Sequence, residues 1–259
     1  MSTSRLFEDQ LAAWRLYLQT PWARIRYATV AEVLRRHVDE VAAARTVGDR
    51  VRVLDVGGGD GRDALPLARA GCDVTIVDPA GSWLAEAERR AAEAGVAIRT
   101  VQGGLDDLPA GEWDLVLCHF VLRYRPPGSP DVAVLADRVR PGGLLSVVDI
   151  NPAGRVLRAL VSSGPGAALT ELHAERAEVQ VFGTDARKVE ADDVRTEAEA
   201  RGLRLVGRYG HRIANDLVTD DDAKHDPDFF ADLLTLELEL CDREPYRRLG
   251  AAWQLVLTR

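Results

Sequence analysis

The stretch Val53-Leu54-Asp55-Val56-Gly57-Gly58-Gly59-Asp60-Gly61 decides the fold of this chain. Its first half is short, apolar and rich in valine, which predicts a buried strand, and its glycines predict a tight turn. Apolar residues at helical spacing follow as far as Ala70. Glycines let a backbone approach a ligand closely, and the helix start offers free N–H groups. The stretch therefore predicts a cofactor site at Asp55, Gly57, Gly58 and Gly59.

The glycine pattern differs from the two patterns that grip phosphate. The dinucleotide fingerprint G-x-G-x-x-G would need glycine at position 62, where this chain has Arg62. A G-x-x-x-x-G-K-[ST] sequence is absent as well. An NAD-linked oxidoreductase is therefore the least favoured function, and an ordinary glycine-rich turn is the structural alternative.

Strand and helix patterns alternate along the rest of the chain. Two helices are predicted at residues 6–18 and 25–41, with a break at Pro21. Strands are predicted at residues 51–56, 74–77, 98–101, 115–117, 144–150, 203–209 and 253–257. Intervening helices are predicted near residues 83–94, 132–139, 153–161, 192–201 and 229–241. This succession predicts an α/β, doubly wound, mostly parallel seven-stranded sheet.

The length fits one domain with additions. We expect a single domain over residues 1–259, in which residues 1–50 form N-terminal helices and residues 51–151 form the cofactor-binding core. Residues 152–190 are expected to form a lid or insertion after strand five, because the pattern loosens after Pro152. Residues 191–259 complete the sheet.

Composition excludes several classes of protein. A net charge of −8 argues against a basic coat for sequence-independent nucleic-acid binding. The three cysteines, Cys72, Cys118 and Cys241, lie too far apart for a metal motif or a disulfide framework. The chain lacks a secretory signal pattern and any apolar run of roughly 20 residues. We therefore expect a cytoplasmic protein without a membrane segment or a metal.

Three polar residues follow predicted strands, at the edge where α/β sheets bind ligands. Asp78 ends strand two and is placed to accept hydrogen bonds from ribose hydroxyls, although it could also cap the next helix. Asp106 follows strand three, placed either to bind an adenine amino group or to form a turn. His119 ends strand four, where it could contact the cofactor or serve as a structural histidine.

Several motifs resemble class I methyltransferases. They are the glycine stretch above, Val77-Asp78, Asp114-Leu115-Val116-Leu117-Cys118-His119 and Arg140-Pro141-Gly142-Gly143. Further motifs resemble, more narrowly, the bacterial tRNA 5-carboxymethoxyuridine methyltransferase family. These are Gly210-His211-Arg212-Ile213-Ala214-Asn215-Asp216, Leu236-Glu237-Leu238-Glu239, Glu244-Pro245-Tyr246 and Leu249-Gly250. The similarity extends over nearly the whole chain.

The resemblance implies the donor S-adenosylmethionine, with S-adenosylhomocysteine as the product, and methylation of the carboxylate of a modified wobble uridine in tRNA. It implies donor contacts from Arg26, Gly57, Gly58, Asp78, Gly104, Leu105 and His119. This chain departs from the family in the lid. Where the family has a lysine-rich run, residues 172–179 follow Glu171 and include Glu175 and Glu178.

Methyl transfer mainly requires that donor and acceptor be held about 3 Å apart. A carboxylate with a pKa near 4 is already ionised at neutral pH and needs an orienting cation more than a base. Arg212 is the candidate cation, and a surface charge at a strand end is the alternative. For a phenol or amine acceptor, His119 would be the proton acceptor. Further candidates near the acceptor are Arg123, Tyr124 and Tyr246.

Three functions remain open from the sequence. The first is methylation of a tRNA carboxylate, and the second is O- or N-methylation of a small acidic metabolite. The third is a non-catalytic S-adenosylmethionine-binding module. For tRNA, a local basic patch is expected from Arg155, Arg158, Arg187, Lys188, Arg208, Arg212, Arg247 and Arg248.

Overall fold

The computed structural model describes residues 10–43, 49–179 and 183–259. Its strands, in chain order, are β1 (Arg52–Val56), β2 (Asp73–Asp78), β3 (Arg99–Gln102), β4 (Trp113–His119), β5 (Val139–Ile150), β6 (Arg176–Val179), β7 (Thr184–Arg187), β8 (Arg204–His211) and β9 (Ala252–Thr258). Its helices are α1 (Leu11–Tyr17), α2 (Pro21–Ala43), α3 (Leu65–Arg69), α4 (Gly81–Glu93), α5 (Asp131–Ala136), α6 (Pro152–Ser163), α7 (Pro165–His173), α8 (Ala191–Glu199) and α9 (Pro227–Leu240).

The main sheet has seven strands in the order β3-β2-β1-β4-β5-β9-β8. Strands β1 to β5 pair in parallel, whereas β9 pairs antiparallel with both β5 and β8. The predicted α/β class and the mostly parallel seven-stranded sheet are therefore confirmed. The strand order reverses between β1 and β4, and open α/β sheets bind their ligands at such a switch point.

Helices cover both faces of the sheet because each strand sends alternate side chains to opposite sides. On one face, Leu54 and Val116 pack in a cluster with Leu135 of α5 and Val194 of α8. On the other face, a second cluster contains Leu34 of α2 together with Leu67, Leu84, Val53 and Leu115. The two clusters form the core that fixes the strand ends.

Most predicted elements are present with shifted ends. Of the first predicted helix, at residues 6–18, the structure shows α1 from Leu11 to Tyr17, and residues 6–9 lie outside the described residues. Pro21 begins α2, a position that suits proline because the first turn of a helix needs no N–H from it. The strand β5 begins at Val139, so it starts earlier than the strand predicted at residues 144–150 and includes the motif Arg140-Pro141-Gly142-Gly143.

The segment predicted as a lid contains the two helices α6 and α7, followed by the separate pair β6 and β7. Asn151 begins α6 as its N-cap, since its side chain accepts a hydrogen bond from the backbone of Ala153. A single residue, Gly164, at a φ of 86°, separates α6 from α7. Glu171 on α7 pairs with Arg155 and Lys188, so this part of the segment is held by ion pairs.

Candidate functional site

The turn after β1 can be built only from very small residues. Gly57 has a φ of 71°, a region that favours glycine, and a Cβ there would lie 2.3 Å from Cγ2 of Val121. A Cβ on Gly58 would lie 2.4 Å from Oδ2 of Asp55. A Cβ on Gly59 would lie 3.0 Å from the ring of Trp83. The glycines therefore leave the backbone itself as the surface beside a ligand.

A cavity of about 540 Å³ opens at this turn, at the carboxyl ends of β1 and β4. Its volume falls in the range typical of cofactor and small-molecule sites. Helices α1 and α2 cover one side of it, and the turn and the two strand ends form the other. The residues that line it are Trp14, Arg26, Tyr27, Asp55, Val56, Gly57, Gly58, Gly59, Asp60, Arg62, Asp63, Asp78, Pro79, Trp83, Gly104, Leu105, His119, Phe120, Val121, Tyr124, Arg125 and Pro126.

Asp78 lines the cavity from the end of β2. Its carboxylate accepts hydrogen bonds from the backbone N–H groups of Gly59, at 3.0 Å, and Ala80, at 2.9 Å. These bonds fix its orientation and leave lone pairs on both oxygens for ribose hydroxyls. Burial raises the pKa of Asp78 to about 6, against the effect of the two backbone bonds.

Donor binding is expected to weaken as the pH falls through about 6, because the ionised Asp78 is the better acceptor for ribose hydroxyls. Below this pKa, affinity should fall by up to about tenfold per pH unit. Folding raises the pKa of Asp78, so the folded, donor-free protein binds this proton more tightly than the unfolded chain does. Protonation of Asp78 therefore stabilises the donor-free protein at low pH, and this contribution is lost as the pH rises through about 6.

Calorimetric titration across that pH range measures the affinity for the donor. Asp78→Asn should bind more weakly and lose this pH dependence; an unchanged profile would remove Asp78 from the donor site.

The short 3-10 turn after β3 places two of its three predicted residues at the cavity. Gly104 and Leu105 line it. Asp106 does not: its side chain is 75% exposed and accepts two hydrogen bonds from Arg125, at 3.0 and 3.1 Å. Arg125 itself lines the cavity, so Asp106 reaches the site only through that cation. A direct contact from Asp106 to an adenine stays a prediction.

Arg26 lies on α2 at the edge of the cavity and is buried. Its two terminal nitrogens donate to the two carboxylate oxygens of Asp63, at 2.9 and 2.7 Å. Its guanidinium also lies over the rings of Tyr27 and Phe120. Its Nε–H is buried without a hydrogen-bond partner, so one donor of Arg26 remains for a ligand.

His119 lies at the end of β4, with both ring nitrogens engaged. Nδ1 is 2.9 Å from Oδ2 of Asp63 and Nε2 is 3.0 Å from the hydroxyl of Ser146. Because the carboxylate can only accept, Nδ1 carries the proton, and in the neutral ring Nε2 accepts from the hydroxyl. The order serine, histidine, aspartate is that of a hydrolase triad, but Ser146 is fully buried, so no substrate reaches it.

The hydrogen bonds of His119 continue through the sheet and return to α2. Gln254 of β9 donates to Ser146 of β5 and its carbonyl oxygen lies 2.8 Å from Nε2 of His211 on β8. Nδ1 of His211 lies 2.8 Å from the hydroxyl of Thr29, one helical turn from Arg26. Burial lowers the pKa of His211 to about 3, so this ring stays neutral. This closed series of hydrogen bonds, the hydrogen-bonded ring, holds α2 against β4, β5, β9 and β8.

Arg212 is placed differently from the other predicted residues. It follows β8 at a φ of 58° and its Nε and Nη2 atoms donate to the carboxylate of Asp216 at 2.7 to 2.9 Å. It is not among the residues that line the cavity. A substrate carboxylate would have to compete with Asp216 for this fork, so the role of Arg212 stays a prediction.

Of the three other acceptor-site candidates, one lines the cavity and two do not. Tyr124 lines the cavity. Arg123 is buried and pairs with Asp149, with 3.1 Å between Nε and Oδ1. Tyr246 is 46% exposed and lies outside the cavity lining.

The cavity residues that sequence reasoning missed include Trp14, Tyr27, Arg62 and Asp63. A signal existed for Asp63, an acidic residue directly after the glycine turn in the run Gly61-Arg62-Asp63. Trp14 and Tyr27 lie on helices whose position relative to the sheet no local pattern specifies. Tyr27 lies at the cavity because the ring of hydrogen bonds through Thr29 and His211 holds α2 in place.

The cavity suits S-adenosylmethionine, the donor that the family resemblance implies. Two of the buried polar atoms at its wall have no hydrogen-bond partner among the described residues: Nε–H of Arg26, a donor, and Oδ2 of Asp55, an acceptor. The methionine part of the donor carries a carboxylate, which can accept from Nε–H of Arg26, and an ammonium group, which can donate to Oδ2 of Asp55. The glycine turn would hold that part, Asp78 the ribose, and Leu105 the base.

Comparison with known proteins identifies a methyltransferase domain in part of the chain. Residues 53–143 match a family model described as a methyltransferase domain. The tRNA 5-carboxymethoxyuridine methyltransferase of Escherichia coli K12 is 27% identical over 207 residues, which cover 78% of this chain and 77% of that protein. An uncharacterized protein of Mycobacterium tuberculosis is 35% identical over 137 residues, about half of each chain.

Solved structures show the same fold. A methyltransferase from Thermotoga maritima aligns with a TM-score of 0.62 at 14% identity, covering 98% of both chains. Magnesium protoporphyrin IX methyltransferase of Synechocystis PCC 6803, solved with bound S-adenosylhomocysteine, aligns with a TM-score of 0.64 at 17% identity, covering 99% of this chain and 97% of that one. The matched domain and the shared fold confirm the predicted resemblance to class I methyltransferases.

The described residues contain neither a membrane-spanning helix nor a metal-binding cluster. No helix among residues 10–43, 49–179 and 183–259 has both the length and the apolar character needed to cross a bilayer. In the same part of the chain, no group of three or more His, Cys, Asp or Glu side chains is arranged to hold a metal ion.

Proposed function

We propose a carboxylate as the acceptor of this S-adenosylmethionine-dependent methyltransferase, with a methyl ester as the product. When bound, S-adenosylmethionine supplies a methyl group on a sulfonium, and the sulfur becomes a neutral thioether when the methyl leaves. A carboxylate oxygen supplies the electron pair for the new O–CH₃ bond. The protein has to bind both partners, align them and exclude water.

The observation that carries this proposal is the bonding of His119. Both of its ring nitrogens are engaged, by Asp63 and by Ser146, so the histidine at the cavity is not free to accept a proton. An amine or phenol acceptor would need such a base. A carboxylate is already ionised at neutral pH and needs none.

Arg62 is the cation best placed to orient an anionic acceptor. Three arginines line the cavity, and two use their terminal nitrogens internally, Arg26 on Asp63 and Arg125 on Asp106. Arg62 donates through Nε to Asp60 at 3.1 Å, which leaves both of its terminal nitrogens for a ligand. A guanidinium binds a carboxylate in a planar, two-bond geometry that lysine cannot reproduce.

Replacement of Arg62 by Lys is therefore expected to slow methyl transfer nearly as much as replacement by Ala. Loss of one charged hydrogen bond costs about 1.5–3 kcal/mol, or roughly ten- to hundredfold in kcat/KM. Steady-state kinetics measures this, with Arg212→Lys as the matched variant because Arg212 already forks Asp216. If Arg212→Lys shows the larger loss, the orienting cation is Arg212 and Arg62 is a surface charge.

For the acceptor molecule, we favour tRNA that bears 5-carboxymethoxyuridine, which would place the enzyme in the cytoplasm. The support is the sequence similarity to the Escherichia coli enzyme of that name, which extends beyond the matched domain to 207 residues.

A small acidic metabolite is the second candidate, and the pairing of the basic residues favours it. Seven of the eight residues expected to form a basic patch lie within 4 Å of a carboxylate: Arg155, Arg158, Lys188, Arg208, Arg212, Arg247 and Arg248. The eighth, Arg187, donates to backbone carbonyls. Phosphate binding would have to displace these partners, and phosphate contacts supply much of the affinity for RNA.

The deciding experiment incubates the enzyme and labelled donor with tRNA that carries 5-carboxymethoxyuridine, with tRNA that lacks it, and with a panel of small carboxylic acids. A base-labile methyl ester on the first tRNA alone, at a rate that falls steeply with salt, would establish tRNA as the acceptor. Labelling of a small acid with weak salt dependence would establish the metabolite function. Base-stable labelling would contradict the carboxylate proposal.

A further inference from the structure

Asp63 occupies a special position among the acidic residues of the cavity. Four carboxylates line it: Asp55, Asp60, Asp63 and Asp78. Burial raises the pKa of three of them, and Asp63 is the exception. Burial alone would raise its pKa too, but the charge of Arg26 and the hydrogen bond from His119 hold it well below the ordinary value. Asp63 is therefore the one carboxylate of these four whose pKa its neighbours lower.

Asp63 is hydrogen-bonded to Arg26 and His119, the two residues that we expect beside the methionine part of the donor. Asp63 accepts two hydrogen bonds from Arg26 and one from His119, at 2.7 to 2.9 Å, with 10% of its side chain exposed. Its two oxygens thus fix the guanidinium and the imidazole together. They also cancel the charge of Arg26, which would otherwise be a buried cation at the cavity wall.

This cancellation bears on donor and product in different ways. S-adenosylmethionine carries a positive sulfonium beside its amino-acid group, whereas S-adenosylhomocysteine has a neutral sulfur. A buried, uncompensated cation would repel the sulfonium in a low-dielectric site but would act much less on the thioether. Removal of the negative charge at residue 63 should therefore affect the two ligands unequally.

We propose that Asp63 is a positioning residue that sets the preference of the site for the cationic donor over the neutral product, by neutralising Arg26 and orienting His119. This role is separate from acceptor choice, because Asp63 acts on the donor end of the cavity. The same charge favours product release, because the sulfur becomes neutral when the methyl leaves and then no longer benefits from the negative charge of Asp63.

The test is calorimetric titration of Asp63→Asn with each ligand separately. Asparagine keeps the size and one acceptor oxygen but removes the charge. The dissociation constant for S-adenosylmethionine should rise at least about tenfold, and that for S-adenosylhomocysteine by less than about threefold. An equal change for both ligands would show that Asp63 only holds the structure, and unchanged constants would show that it does neither; both results overturn the proposal.

Two further variants separate charge from folding. Asp216→Asn is the matched control, because Asp216 also accepts a buried arginine fork but lies outside the cavity lining. It should leave the ratio of the two dissociation constants unchanged. If Asp63→Asn is too unstable to titrate, the double variant Arg26→Gln/Asp63→Asn removes both charges. It should restore the wild-type ratio at lower affinity for both ligands, and a ratio that stays shifted would contradict the charge argument.

Discussion

Gly57→Ala is expected to abolish donor binding at ordinary donor concentrations. The substitution forces a side chain into a left-handed backbone conformation at a φ of 71° and places its Cβ 2.3 Å from Cγ2 of Val121. The conformation costs about 1–2 kcal/mol and the overpacking about 1–3 kcal/mol more. Relief of this strain must move the turn or the cavity wall, and each 1.4 kcal/mol lost from binding weakens it about tenfold. Calorimetric titration with the donor measures the loss.

Gly71→Ala is the matched control for this variant. Gly71 also has positive φ, at 93°, but a Cβ there would meet nothing within 4 Å. Gly71→Ala should lower the melting temperature slightly, because alanine is strained at positive φ, and should leave donor affinity unchanged. If Gly57→Ala binds the donor as the wild type does, the turn is not part of the donor site and the match of cavity to donor fails.

Asp149→Ala should give the largest loss of stability among the single substitutions considered. Asp149 is 1% exposed and lies beside the buried Arg123, and it also accepts backbone hydrogen bonds from residues 123 and 150. Removal of one partner from a buried ion pair costs about 3–5 kcal/mol, because the remaining charge stays buried. For a protein of this size that corresponds to a fall in melting temperature of roughly 6–20 °C. Differential scanning calorimetry measures it.

A surface pair and a double variant test the cause. Asp242 pairs with Arg36 at the surface, and Asp242→Ala should lower the free energy of unfolding by no more than about 1 kcal/mol. The double variant Arg123→Met/Asp149→Leu removes both buried charges and should recover most of the lost stability. If the double variant is as unstable as Asp149→Ala, the loss arises from the backbone hydrogen bonds and not from the stranded charge.

The parts of this protein that sequence predicts well are those decided by local pattern. The strand before the glycine turn follows from Val53, Leu54 and Val56, and the turn follows from Gly57, Gly59 and Gly61, whose positive φ favours glycine. Asp78 is predicted at the cavity because the end of a neighbouring parallel strand must lie at the same edge of the sheet. The side of the cavity that these strand ends and the glycine turn form can therefore be predicted from the sequence.

The parts that sequence does not predict depend on contacts between distant segments. Asp106 lies at a suitable position in the chain but pairs with Arg125, nineteen residues away. Arg212 pairs with Asp216, only four residues away. The presence of an arginine and an aspartate at this spacing does not show whether the guanidinium binds that aspartate or a substrate carboxylate. The position of α2, which brings Arg26 to the cavity, depends on hydrogen bonds that span up to 182 residues.

The position of β9 determines when during synthesis the donor site can be completed. In the sheet, β8 is joined to the other strands only through β9, which follows it in the chain by about forty residues. The glycine turn and strands β1 to β5 can pair early, because they are contiguous on the emerging chain. His211 and Gln254, which close the hydrogen-bonded ring around α2, come together only when β9 has been made. A growing chain can therefore form most of its cofactor cradle well before Arg26 is fixed beside it, and donor affinity should appear late in translation.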